Sequence, residues 1–102
     1  SAGRRLLGKI APLFAELNDD VLFGKVWSRA DELSPRDRSL VTVAGLMGMG
    51  MLDDSFRGHL QMAKMHGMSR DEIVEAITQL AFYTGWSKGW TALRMADAAF
   101  QE

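Results

Sequence analysis

The stretch AGLMGMGMLDDSFRGHLQMAKMHG, residues 44–67, decides how the rest of the chain is read. It carries five of the seven methionines (Met47, Met49, Met51, Met62 and Met65) and both histidines, His59 and His66. A membrane span, a metal site or the wall of a pocket would each explain such a segment. The uncharged run that overlaps it, Ser39 to Leu52, is 14 residues long and contains three glycines. A bilayer crossing takes roughly 20 apolar residues, so a span is excluded. On a helix the two histidines, seven residues apart, lie two turns or about 10.5 Å from each other along the axis. That is too far for both to hold one ion unaided, and no cysteine or well-spaced carboxylate pair completes a tetrahedral set. No metal is expected. What remains is methionine as apolar filler at helical spacing, with Phe56, His59, Leu60, Ala63 and His66 along one stripe. The stretch reads as a pocket wall, or failing that as the core of an oligomer.

Working outward, the apolar pattern is helical nearly throughout, with two prolines and no convincing period-two alternation. Leu6, Ile10, Leu13, Phe14 and Leu17 predict a first helix, broken at Asn18-Asp19-Asp20. Val21, Leu22, Val26, Trp27 and Ala30 predict a short second one. Ser34 as N-cap, Pro35 at the first position and Asp37 at the third open a third helix, which weakens at Gly48 and Gly50. Asp53 or Asp54 caps a fourth, ending at Gly67. Ser69 and Glu72 form a capping box for a fifth, reaching about Thr84. A sixth runs from about Lys88 to Phe100. The fold class is all-α: about six helices in a single domain over residues 1–102, the last four joined by short connections that favour antiparallel neighbours.

Helix five is apolar around most of its girdle. Ile73, Ala76, Ile77, Leu80, Ala81 and Thr84 make one broad face, and Val74, Phe82 and Tyr83 extend it. Such a helix is central or buried on two sides. In a chain of 102 residues the second side is expected to meet another subunit, as are Trp27, Trp86, Trp90 and the clustered methionines. A homo-oligomer is expected.

Composition narrows the function. Twelve basic and thirteen acidic residues are scattered, for a net charge of −1, which leaves no electrostatic footprint for nucleic acid or an anionic membrane. The absence of cysteine removes disulfides, thiolate metal sites and thiol chemistry. With no secretory signal pattern at the N-terminus, a cytoplasmic location is expected. The sequence has no GxSxG, P-loop or dinucleotide fingerprint.

His59 is the candidate acid/base, because imidazole titrates near neutrality and this one sits on an otherwise apolar face; a hydrogen-bonded core histidine is the alternative. His66, in the last turn, suits the helix dipole. Arg38 is placed to clamp a carboxylate or to pair with Asp37 or Glu32. Tyr83 and Trp86 either pack or line a pocket.

The pieces LSPRDRSLVTVAGLMGMG, HLQMAKMHGMSRDEIVEAITQLAFYTGW and ALRMADAAF, from Leu33 to Phe100 with the family core over about 34–100, resemble the carboxymuconolactone decarboxylase family of the alkylhydroperoxidase D-like fold. The upstream LNDDVLFGKVWSRADEL resembles the family's preceding helix. The resemblance implies an all-helical trimer or hexamer that decarboxylates 4-carboxymuconolactone to the β-ketoadipate enol-lactone without a cofactor, in aromatic-compound degradation. It carries the family's recurrent histidine onto His59, with Ala63 and Gly67 completing H-x-x-x-A-x-x-x-G, and places Arg38 in the RSLV element. His59 is then general acid/base, Arg38 the carboxylate anchor, and Tyr83, Trp86 and Ser55 the residues beside the small-molecule substrate. The chain departs from the family at four positions. Leu52 and Ser55 stand where peroxidase members carry CxxC, which excludes thiol peroxidase chemistry. Lys25 and Ser87 replace a frequent Glu and Pro. A non-catalytic small-molecule-binding oligomer on the same scaffold is the alternative function.

Overall fold

A computed structural model describes residues 1–101. Every regular element among them is helical: α1 (Ala2–Leu7), α2 (Pro12–Glu16), a π-helical segment (Leu17–Val26), α3 (Pro35–Gly48), α4 (Asp54–Met65), α5 (Arg70–Thr84) and α6 (Trp86–Ala99). The all-α expectation holds. The chain falls into two units, residues 1–35 and the part from Arg36 onward.

The first unit corrects the predicted boundaries. The helix expected from Leu6 to Leu17 is split, because Ala11 precedes a proline and is not helical, at φ −144°. A residue in that position is driven away from helical backbone by the proline ring, and Pro12 then opens α2. The expected break at Asn18-Asp19-Asp20 does not occur, and the π-helical segment runs through it. Aspartate usually interrupts a helix by bonding to nearby backbone. Asp19 instead accepts hydrogen bonds at 2.9 Å from the backbone N–H groups of Gly3 and Arg4, so it satisfies the open end of α1. Hydrogen bonding from the Ser1 side chain, with those N–H groups, holds its carboxyl well below the usual carboxylate range. Asp20 pairs with the Arg4 guanidinium at 2.6 Å.

The second unit follows the predicted capping chemistry closely. Asp53 accepts from the N–H groups of Ser55 and Phe56 and opens α4. Both halves of the Ser69–Glu72 capping box are made, at 3.1 and 2.9 Å. The last helix begins two residues earlier than expected. Gly85 alone separates it from α5, and its φ of +125° is one that a side chain would resist.

Pairwise contacts fix the helix directions. Arg70, opening α5, bonds Asp97 near the end of α6 at 2.7 Å, so these two run antiparallel. Arg36 pairs with Glu72 at the starts of α3 and α5, and Gly48 approaches Thr84 at their ends, so those run parallel. Lys64, in the last turn of α4, donates to the Ala99 carbonyl at the end of α6 at 3.3 Å, so these two ends meet. The core is built from Val43 and Met47 of α3, Phe56 and Leu60 of α4, Ile73 and Ile77 of α5, and a face of small residues on α6. Those small residues are Gly89, Ala92, Ala96 and Ala99. They let the helix axes close up, and a Cβ added at Gly89 would lie 2.5 Å from that of Ala81.

Ser39 is the buried polar residue of this core, fully enclosed. Its Oγ lies 2.8 Å from Nδ1 of His66, tying the first turns of α3 to the end of α4. His66 thus serves as a polar partner inside the framework as well as a helix-terminal residue.

Two substitutions test this packing. Gly89→Val forces α5 and α6 apart and is expected to cost about 1–3 kcal/mol by overpacking. Ser39→Ala removes a buried partner from His66 and is expected to cost about 1–2 kcal/mol. Both are read from urea unfolding midpoints.

Candidate functional site

The buried stripe of α4 is Phe56, Leu60 and Ala63, at positions i, i+4 and i+7. His59 falls on the flank of that stripe, where helical spacing puts it between core and solvent. It is half-buried, and its Nδ1 is shielded from solvent. Removal from water penalises the imidazolium more than the neutral ring. Burial therefore pushes His59 below the usual 6.5. At neutral pH the ring is mainly neutral, and its cation, once formed, is a stronger acid than free imidazolium.

Arg38 is half-buried in the first turns of α3, where its carbonyl accepts from the Thr42 hydroxyl at 2.8 Å. Its neighbour Ser39 meets His66, so the Arg38 backbone stands level with the end of α4. His59 lies about two turns, roughly 10.5 Å, back along α4 from that level. Ser55 is exposed in the first turn of α4, one turn before His59 and on the same side.

Tyr83 and Trp86 belong to a different place, the corner between α5 and α6. They are 81% and 64% exposed. Trp86 meets Phe82 edge-on with ring centroids 5.7 Å apart. With Thr78, Ala81, Gly89, Trp90 and Leu93 it lines an apolar cavity of about 50 Å³. The residues expected to act together therefore occupy the α4 flank, the first turns of α3 and the α5–α6 corner.

Two residues escaped the sequence reading, and Trp90, expected at a subunit contact, also lines this cavity. Ser39 was detectable, since it lies four and eight residues before Val43 and Met47 and so falls on the buried stripe of α3. Trp90 repeats Trp86 one turn later. Nothing in the sequence marked Thr78. Among the described residues no three His, Asp or Glu side chains gather to hold a metal ion, and no helix is long and apolar enough to cross a membrane.

Comparison with known proteins places the chain in a family. Residues 12–98 match the carboxymuconolactone decarboxylase family. A 4-carboxymuconolactone decarboxylase of Acinetobacter baylyi (strain ATCC 33305 / BD413 / ADP1) is 36% identical over 80 residues, which are 78% of this chain. The same alignment spans 58% of that relative's length. The family match extends over nearly all of the chain, from α2 through α6, and on that basis this protein belongs to the carboxymuconolactone decarboxylase family.

Proposed function

We propose that this chain is a cofactor-free carboxy-lyase acting on a small lactone carboxylic acid, with 4-carboxymuconolactone as the first substrate to test and the breakdown of aromatic compounds by way of β-ketoadipate as its setting. The observation that carries this reading is His59, a desolvated imidazole on the flank of an apolar stripe.

The reaction needs two things from the protein. The C–C bond to the departing carboxylate breaks, carbon dioxide leaves, and the electron pair spreads toward the lactone carbonyl. A proton must then reach carbon, so that one proton is consumed per turnover. A partly buried His59 supplies it: the imidazolium donates to the dienolate and is recharged from solvent. An apolar flank favours this step, because charge concentrated on a carboxylate suffers more from poor solvation than charge spread over a dienolate. Arg38 is assigned to the carboxylate that stays on the substrate. Its place about two turns from His59, roughly 10.5 Å along α4, suits opposite ends of one small molecule. Ser55 is assigned to the substrate's polar edge.

Tyr83 and Trp86 complete a pocket only when another subunit covers them. Their exposure, with Phe82 at 75% and Trp90 at 63%, leaves an aromatic surface that is costly to keep in water. We assign it to subunit contacts in a cytoplasmic homo-oligomer, a trimer or hexamer.

The test is decarboxylation of 4-carboxymuconolactone by wild type, His59→Asn and Arg38→Ala, compared at equal oligomeric size. His59→Asn is expected to lower kcat by roughly 10²–10⁴-fold, and Arg38→Ala to act chiefly on KM. Because the cation is the donor, kcat/KM is expected to fall as pH rises through an inflection below 6.5. That inflection is expected to vanish in the residual activity of His59→Asn. Folded His59→Asn with wild-type turnover would remove His59 from the chemistry. No turnover by folded wild type would reject this substrate and favour a binding role for the scaffold.

A further inference from the structure

The α6 residues Thr91, Arg94, Met95 and Ala98 recur at i, i+3, i+4 and i+7 and form one stripe, turned away from the small-residue face. Together with Arg57 of α4 they line an open cleft of about 330 Å³. Its walls hold two guanidinium groups, one hydroxyl and the apolar Met95 and Ala98, and no carboxylate. Among the described residues Arg57 pairs with Asp54 alone, whose side chain is fully exposed. Such a surface pair contributes little. Arg94 has no ion pair among the described residues, whereas Arg70 has Asp97 and Arg36 has Glu72.

We propose that the α4–α6 cleft is a binding site for a small organic carboxylate, held between Arg57 and Arg94 with its hydrocarbon part against Met95 and Ala98. Two like charges facing one cleft repel each other, and an anion between them reverses that cost. Arg presents paired N–H donors that match a carboxylate. The Thr91 hydroxyl adds a further donor. In so open a cleft a bare inorganic anion is screened by salt, and only an organic acid also gains from the apolar wall. This site is separate from His59: Arg57 and His59 are two residues apart, about 200° around α4, and flank its buried stripe on opposite sides. It stands independently of the proposed decarboxylation.

The test follows the methyl resonance of Met95 in ¹³C-methionine-labelled protein, assigned with Met95→Leu, during titration with adipate and, separately, inorganic phosphate. Adipate is expected to shift it saturably, and Arg57→Gln and Arg94→Gln each to weaken that binding by roughly fivefold or more. Both replaced side chains are exposed, and helical content by circular dichroism confirms that each variant is folded. An unmoved Met95 signal, or a shift undiminished in both variants, overturns the site. Phosphate binding as tightly as adipate overturns the carboxylate assignment. A Met95 signal that changes with protein concentration and not with adipate makes the cleft a subunit contact and also overturns the proposal.

Discussion

The close approach of α5 and α6 is the constraint on which the second unit rests. Only Gly89 leaves room for Ala81, and the alanines that follow it on α6 keep the axes close along the helix. Small residues bury little apolar area each, so the adhesion comes from what they admit. Met47 and Phe56 fill the space around them, and the Ile73–Ile77 face closes it. Gly85, the single residue between the two helices, imposes the reversal that brings them together. The Arg70–Asp97 pair at the far end fixes the register at the surface, where it adds little energy.

That packing also sets the electrostatics of the site. Phe56, Leu60 and Ala63 commit one stripe of α4 to the core, and His59 is drawn half under cover beside them. The lowered pKa of His59 follows from burial and requires no neighbouring charge. The linkage has a definite sign. A depressed imidazole pKa means that the folded state binds its proton less readily than the unfolded chain does. The stability this residue contributes is present above 6.5 and is lost as pH falls through its lowered value. The property that makes the imidazolium a good donor therefore weakens the fold in acid. The Nδ1 of His66 is bonded to the enclosed Ser39, which gives that histidine a place in the framework.

The second unit was readable because its signals are local. A capping box, an aspartate N-cap and a stripe at i, i+3, i+4 and i+7 are each decided within a few residues, and they mark α4 and α5 correctly. In the first unit the split before Pro12 follows a local rule, whereas the continuity through Asn18-Asp19-Asp20 has a cause that is not local. Asp19 reaches sixteen residues back to Gly3, so a residue that looks like a helix breaker serves as the cap of another helix. The candidate site divides the same way. His59 was legible from its seat on an apolar stripe. The cavity that Trp86 shares with Thr78 and Leu93 was not, since spacing along a chain says little about which helix faces come together. Phe82 and Tyr83 were legible as excess apolar surface on α5, and the structure leaves them exposed.

The proton-donor role of His59 depends on one property, an imidazole made more acidic by loss of water. Titration of the ring resonances by NMR reads it directly, and with two histidines in the chain, His59→Asn assigns the signals. The expected result is a His59 midpoint below 6.5. A midpoint at or above 6.5 would show a solvated or charge-stabilised ring, and would contradict the role assigned to it here.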